Sequence, residues 1–222
     1  MTTEQRLLAE DLLLAWDAEA GKPRSSTSMQ LPTAIGGALL LDLALRDRLR
    51  IEVDVPRASS RRTGDDLLDE VAAQLRDGPP RRKLKSWVNK VGTSARRDQV
   101  RDRLLARGLL DPEERKVLGI FPVTRHRLGD SDEVERVATE VRRVLTGGRP
   151  TDDRTSALVA LVGATAVLDR LVPRTDRRAA RKRAEELAES SPVAAAARAV
   201  IRETQAAVIV SVAAAGAAAS SS

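Results

Sequence analysis

The chain has 222 residues, of which 42% are hydrophobic and 1% aromatic, and its formal net charge is +6. This length fits one large domain or two small ones, and a core of Leu, Val, Ala and Ile favours packed helices over a β-sandwich. Because the chain has no cysteine, a disulfide framework, a thiolate metal site and a cysteine nucleophile are excluded. The first residues do not resemble a secretory signal, so a cytoplasmic location is expected.

Apolar residues at helical spacing predict helices along most of the chain. Their predicted ranges are 4–16, 34–49, 65–76, 84–91, 95–107, a helix opened by 131–133, and then 152–171, 175–189 and 192–214. The alternation in RIEVDV predicts one strand at 50–55, and short apolar runs around 117–121 and Val123 predict a β-hairpin. The predicted fold class is mainly α: a single globular multi-helix domain over 1–215 with a short β-hairpin, a minor strand and a frayed Ala/Ser tail over 216–222.

Two uncharged segments resemble membrane spans only superficially. Residues 155–168 are fewer than the ~20 that a span requires, and the segment after Glu203 is mostly Ala and Ser. We expect the first segment to be a buried central helix and the second to be a terminal helix docked on the core.

Positive charge is concentrated between Arg81 and Arg107, where ten basic residues face only Asp98 and Asp102. Residues 1–56 have the opposite balance, with nine acids and six bases. This separation predicts an anionic partner, either a membrane surface or nucleic acid. Arginines that simply cover solvated faces are the alternative explanation.

Motifs for catalysis are sparse. His126, the only histidine, lies between two arginines in a predicted turn and cannot by itself form a metal cluster or a triad. The segment DDLLDE at 65–70 has the spacing of a magnesium-diphosphate motif, but a second acidic motif and an aromatic-lined pocket are missing. We interpret these acids as helix-start residues, with Thr63 and Asp66 forming a capping box. No enzyme activity, cofactor or metal is expected.

Six segments, read in order, resemble the Golgi phosphoprotein 3 family, which includes phosphatidylinositol 4-phosphate-binding Golgi proteins and actinobacterial relatives. They are AEDLLLAW (9–16), GALLLDLALRDRLRIE (37–52), TGDDLLDEVAAQL (63–75), VRDRLLARGLL (100–110), FPVTRHRL (121–128) and RTSALVALVGATAVLDRLV (154–172). The resemblance implies one mainly helical domain that docks peripherally on membranes. In eukaryotic members it also implies a basic headgroup pocket, a hydrophobic hairpin for insertion and oligomerisation, and an adaptor role toward client glycosyltransferases.

The resemblance places the headgroup pocket at four positions. Its tryptophan falls near Thr27 or Ser28 and its first arginine at Gly36, so both side chains are absent here. Its later arginine pair, which opens a basic helix, falls near Ser94 and Arg97. A register shifted by three or four residues would place this pair at Arg97 and Arg101.

A helix start near Ser94 also suits a phosphate for physical reasons. Unpaired backbone N–H groups and the positive end of the helix dipole lie there, and Arg96 and Arg97 can make bidentate contacts. The remaining candidates have different expected roles: a substitute headgroup ligand (Arg24), an apolar membrane contact at the hairpin (Ile120, Phe121), and a solvated rim of the basic helix (Arg101, Arg103, Arg107).

The leading hypothesis is a non-enzymatic peripheral membrane protein that binds anionic lipid headgroups, with a phosphoinositide such as phosphatidylinositol 4-phosphate as the expected ligand. One alternative is a winged-helix-like nucleic-acid-binding module, because a basic helix is followed by RGLL and a hairpin. Its helix consists almost entirely of Arg, Asp and Leu, which disfavours base recognition. Another alternative is a protein-binding adaptor whose basic face meets an acidic client, and a homo-oligomer is compatible with all three.

Overall fold

The computed structural model of the chain describes residues 6–17, 30–117, 121–128, 132–165, 167–190 and 195–220, with the side chains of all but 17, 112–134, 190 and 211–220. Ten helices and four strands lie in these ranges. In chain order they are α1 (Leu8–Asp17), α2 (Gln30–Leu45), β1 (Leu49–Glu52), β2 (Val55–Ala58), α3 (Asp66–Asp77), α4 (Leu84–Val91), α5 (Ser94–Ala106), β3 (Leu110–Val117), β4 (Phe121–Leu128), α6 (Asp132–Leu145), α7 (Asp153–Gly163), α8 (Leu168–Leu171), α9 (Arg177–Ser190) and α10 (Ala195–Ser220). The predicted mainly α fold class is confirmed.

Helix α2 is the centre of the fold. Almost all of its side chains are buried, because small and apolar residues occur on every side of the helix and not along one stripe. It packs against α1, α3, α4, α5, α7, α10 and β1. The central position that the sequence assigned to residues 155–168 therefore belongs to α2.

The helix predicted at 152–171 is two helices, so that prediction was wrong. Helix α7 ends at Gly163 because the next two N–H groups, of Ala164 and Thr165, donate to carbonyls only three residues back. Such tight hydrogen bonds end an α-helix. The Thr165 hydroxyl also donates to the carbonyl of Val162, at 2.9 Å. The next helix, α8, begins at Leu168.

The single strand predicted at 50–55 is instead a tight hairpin. Strand β1 pairs antiparallel with β2, and Glu52 is the partner of Val55, so Val53 and Asp54 form a two-residue turn. Both turn residues have positive φ, 49° and 66°, as a type I′ turn requires. The alternation of apolar and polar residues continues through this turn, so the sequence predicted an unbroken strand. Val53 gave no turn signal, because a β-branched residue is disfavoured at positive φ.

Three predicted helix starts are corrected by local hydrogen bonds. Helix α1 begins at Leu8, and the Glu10 carboxylate accepts the N–H of Leu7 at 2.7 Å. Helix α2 begins at Gln30, four residues before its predicted start, because Pro32 lies in the first turn, where a missing N–H costs nothing. The cap of α3 is Asp65 and not Thr63, because the Asp65 carboxylate accepts the N–H of Leu68 at 3.1 Å.

A second hairpin follows α5, as the sequence predicted. Strands β3 and β4 pair antiparallel from Leu110 opposite Leu128 to Val117 opposite Phe121. His126 was expected in a turn but lies within β4, opposite Pro112. Ile120 is outside the described residues, as is the side chain of Phe121.

Glu10 of α1 is a fully buried carboxylate that joins three helices. It accepts hydrogen bonds from Arg103 Nε at 2.9 Å and from Arg107 Nη1 at 3.4 Å, both at the C-terminal half of α5. Arg103 Nη2 also donates to the α3 cap residue Asp65 at 2.6 Å. Arg103 and Arg107 are therefore partners of a buried acid and not the solvated rim that the sequence predicted.

Asp11, the next residue of α1, belongs to a second buried network. Arg154 of α7 donates to Asp11 at 2.7 Å and to Asp42 of α2 at 2.9 Å. The other Asp42 oxygen accepts the N–H of Leu8 at 2.6 Å. Burial raises the pKa of Asp42 to about 6, although the Arg154 charge and the Leu8 N–H favour its ionised form. This network fixes α1 against both α2 and α7.

We predict that Glu10→Ala destabilises the protein by ~3–5 kcal/mol, because it leaves the buried ends of two arginines without their carboxylate. Urea denaturation would measure the loss. Glu185→Ala, an exposed position of α9, is the matched control and should change the free energy of unfolding by less than about 0.5 kcal/mol. Equal effects of the two substitutions would contradict the assigned role of Glu10.

We also predict a pH-dependent contribution from Asp42. Its pKa is about 6 in the folded chain and near the model-compound value of 3.8 when unfolded, so the folded chain binds the proton more tightly. The protonated carboxyl therefore contributes its full stabilisation below the unfolded-state pKa. This contribution is lost as the pH rises through the folded-state pKa. The free energy of unfolding, relative to Asp42→Asn, should therefore fall by on the order of 2–3 kcal/mol across that window. Urea titrations of both proteins at several pH values would measure it; a constant difference would refute it.

Candidate functional site

The start of α5 is exposed and lacks compensating negative charge. Thr93 is its N-cap, and the Thr93 hydroxyl oxygen accepts the N–H of Arg96 at 3.1 Å. The first backbone bond of the helix joins the N–H of Arg97 to the Thr93 carbonyl, so the N–H groups of Ser94 and Ala95 have no acceptor within the helix. No acid lies in the first turn. The positive end of the helix dipole therefore faces solvent.

Arg97 and Arg101 converge on one carboxylate next to this helix start. Asp98 Oδ1 accepts from Arg97 Nε and Nη2 at 3.0 and 2.8 Å and from Arg101 Nη1 at 2.7 Å. Partial burial opposes ionisation of Asp98, but the hydrogen bonds and charges of the two arginines outweigh it and keep the pKa of that carboxyl below its usual range. Two cations thus share one anion, and each guanidinium keeps N–H donors that Asp98 does not use.

Arg96 has a different environment from Arg97. Its side chain is 9% exposed, and its Nη1 lies 2.9 Å from Glu70 Oε2 of α3, without the geometry of a hydrogen bond. The reason is its helical position, since Arg96, Val100 and Leu104 repeat every four residues and form the buried stripe of α5. The same spacing was visible in the sequence. Arg97 and Arg101, whose side chains are 24% and 23% exposed, are the other described arginines of the predicted headgroup set.

Gly36, the position that the sequence resemblance placed at the family's first pocket arginine, is closed by backbone. A Cβ on Gly36 would lie 2.5 Å from the Gly92 nitrogen and 2.5 Å from the Val88 carbonyl oxygen. Helix α2 and the turn between α4 and α5 therefore touch backbone to backbone. Arg24, Thr27 and Ser28 are outside the described residues, so the substitute role predicted for Arg24 remains a prediction.

Sequence reasoning did not separate a second basic surface from the Arg81–Arg107 run. An open depression of about 870 Å³ lies between Pro79-Pro80 and the exposed face of α4. Its cationic lining consists of Arg81, Arg82, Lys83 and Lys85. The Arg82 guanidinium lies 5.1 Å from the ring centroid of the buried Trp87. Within the described part of the chain, the other three have no carboxylate at ion-pair distance. The available signal was GPPRRK, a double-proline turn with consecutive cations.

The aspartates of DDLLDE have structural partners. Asp65 caps α3 and accepts from Arg103, and Asp66 pairs with Arg62 at 3.2 Å. Asp69 accepts from the N–H and hydroxyl of Thr63 at 2.7 and 2.8 Å. These contacts support the interpretation of the segment as a helix start. No group of three or more potential metal ligands occurs among the described residues.

The fold and this basic region together define a mainly helical domain with a cation-lined surface. None of the helices in the described ranges has the length and hydropathy needed to cross a bilayer. The sequence model of the Golgi phosphoprotein 3 (GPP34) family matches residues 8–204, which is most of the chain. The protein therefore belongs to the Golgi phosphoprotein 3 family, and the resemblance seen in the sequence is confirmed.

We predict that introducing a side chain at Gly36 lowers the free energy of unfolding. Gly36→Ala should cost ~1–3 kcal/mol because the new methyl group meets two backbone segments, and Gly36→Arg should cost more. Lys90→Ala, at an exposed position of the neighbouring helix α4, is the control and should be nearly neutral. Urea denaturation of the three variants would measure the differences. If Gly36→Arg were as stable as the parent protein, the assigned backbone contact would be incorrect.

Proposed function

We propose that the protein is a non-enzymatic peripheral membrane protein that binds anionic lipid headgroups at the start of α5, with a phosphoinositide as the preferred ligand. The observation that carries this proposal is the convergence of Arg97 and Arg101 on the single carboxylate of Asp98, beside an exposed helix start. Family membership is consistent with lipid binding.

The start of α5 offers two kinds of donor to a phosphate. The free N–H groups of Ser94 and Ala95 point along the helix axis toward solvent. Arg97 and Arg101 add charge-assisted donors, and Asp98 holds their side chains in place before any ligand arrives. A phosphomonoester carries about −1.5 to −2 charges at neutral pH, more than the single charge of a phosphodiester. The site should therefore favour a phosphoinositide over phosphatidylserine.

The hairpin β3–β4 is the proposed apolar contact with the bilayer, through Ile120 and Phe121. Its base follows the C-terminal end of α5, which is roughly 20 Å along the helix from Ser94. The headgroup site is thus assigned to one end of α5, and the hairpin that carries the apolar contact begins at the other end. Binding of both at once requires α5 to lie close to the membrane plane or the hairpin to extend back along it.

The arrangement of α5 disfavours the nucleic-acid alternative. Its buried stripe includes Arg96, and its C-terminal arginines, Arg103 and Arg107, donate to the buried Glu10. A recognition helix needs several free side-chain donors along one exposed face to read base edges. The pairing of these arginines with protein carboxylates removes most of those donors.

The proposal is tested by co-sedimentation with phosphatidylcholine vesicles that contain either phosphatidylinositol 4-phosphate or phosphatidylserine at equal total charge. We expect tighter binding to the phosphoinositide vesicles. At ~1 kcal/mol for each basic residue near the surface, Arg97→Gln/Arg101→Gln should weaken that binding by about tenfold or more. Asp98→Asn should strengthen it by about fivefold, because it removes the competing carboxylate.

Asp102→Asn is the matched control for Asp98→Asn, because it makes the same charge change at an exposed position of the same helix. It should change binding by less than about twofold, since Asp102 is not the shared partner of the two arginines. Equal gains from both substitutions would mean that overall charge, and not this site, governs binding. Failure of the parent protein to bind either anionic vesicle would refute the proposed function.

A further inference from the structure

A second surface, separate from the start of α5, combines an exposed apolar side chain with unpaired cations. We call it the tip surface and define it as Val53 of the β1–β2 turn together with Arg81, Lys83 and Lys85. The Asp54 carbonyl oxygen accepts the N–H of Leu84 at 2.7 Å. This hydrogen bond fixes the turn against the first residue of α4, Leu84, whose neighbours in the chain are Lys83 and Lys85.

Val53 is not explained by the folding of its own hairpin. Its side chain is 94% exposed, and its φ of 49° is unfavourable for a β-branched residue. Asn, Asp or Gly would satisfy the same turn without strain. A costly backbone conformation that presents an apolar side chain to solvent suggests a function for that side chain.

The cations of the tip surface differ from the paired arginines of α5 and α7 described above. Arg97, Arg101, Arg103 and Arg154 are all bound to carboxylates. In the part of the chain that the structure describes, the tip cations have no such partner and line an open depression with Pro79 and Pro80. Long basic side chains of this kind can lay their aliphatic stems on apolar surface while the charged ends reach phosphates.

We propose that the tip surface docks on an anionic bilayer, with Val53 entering the boundary between headgroups and acyl chains. The cations then contact lipid phosphates without selecting one headgroup. This inference rests on the proposed membrane function but adds a contact that does not need the α5 site. A bilayer suits the surface better than nucleic acid, because a single-stranded ligand would require exposed aromatic rings and Trp87 is 1% exposed. An exposed valine would also gain nothing from a phosphodiester backbone.

The tip surface is continuous with the proposed headgroup site along the chain. Helix α4 carries exposed Lys85 and Lys90 away from the tip, and Lys90 is three residues before the α5 cap, Thr93. A bilayer contacted by the tip surface would therefore have basic side chains along the path to the start of α5. The expected order is broad electrostatic capture at the tip surface and selective binding at α5.

The test uses phosphatidylcholine vesicles with phosphatidylserine and without phosphoinositide, so that the α5 site has no preferred ligand. Val53→Asn fits the positive φ of the turn, so its melting temperature should equal or exceed that of the parent protein. Its affinity for the vesicles should nevertheless fall by about fivefold, through loss of the inserted valine. This opposite movement of stability and binding separates docking from a folding defect.

Arg81→Gln/Lys83→Gln/Lys85→Gln should weaken binding to the same vesicles by about tenfold or more at low salt, and by less at high salt. The matched control removes one cation just before α9 and two on α9, and it should change binding by only about twofold. Its positions, whose side chains are exposed, are Arg174, Arg178 and Lys182.

The outcomes distinguish this inference from the proposed function. If Val53→Asn and the tip triple variant bind phosphatidylserine vesicles as well as the parent protein does, the tip surface is not a membrane contact, while the α5 site is unaffected. If the parent protein binds no anionic vesicle, both proposals are overturned. If the triple variant loses binding to duplex DNA but keeps vesicle binding, the surface binds nucleic acid and the inference is overturned.

Discussion

Two adjacent buried carboxylates on α1, Glu10 and Asp11, each pair with arginines, and these ion pairs fix the positions of the neighbouring helices. Neighbouring residues of a helix point about 100° apart, so Glu10 faces α5 and Asp11 faces α7. A buried carboxylate without a cation costs several kcal/mol. Glu10 accepts from Arg103 of α5, and Asp11 accepts both from the nearby Arg6 and from Arg154 of α7. Arg103 and Arg154 therefore fix both helices around α1 and α2.

These networks divide the basic residues of the chain into two classes. Arginines such as Arg103 and Arg154 neutralise interior acids and add little to the electrostatic potential at the protein surface. Lys83 and Lys85 have no carboxylate partner among the described residues, and they line an open depression. The strong positive balance of residues 81–107 is therefore unevenly distributed. Its last two arginines, Arg103 and Arg107, serve the fold, and its N-terminal part makes the basic surface. Counting charges along the sequence could not separate the two classes, because the acids that distinguish them lie far away along the chain.

Local patterns predicted what depends on neighbouring residues. Helical periodicity identified α3, α4 and α5 to within one residue at each end, and Gly92 and Gly108 correctly ended two of them. The same reasoning failed where tertiary contacts or backbone geometry determine the local structure. RIEVDV alternates like a strand, yet its turn is set by the backbone of Val53 and Asp54. Arg96 looked like a ligand by residue type, although its spacing from Val100 already placed it on the buried stripe.

The closure of Gly36 limits the form that the proposed headgroup site can take. A pocket with an arginine on α2 would bind a phosphate between two helices. Here the backbone of α2 at Gly36 contacts the backbone at Val88 and Gly92, which leaves no space for that side chain. The proposed site then has one side, the start of α5, where Arg97 and Arg101 share Asp98. A one-sided site discriminates headgroups mainly by charge, because it encloses less of the ligand. Broad contacts elsewhere, such as the tip surface, would then supply the affinity that an enclosed pocket would otherwise give.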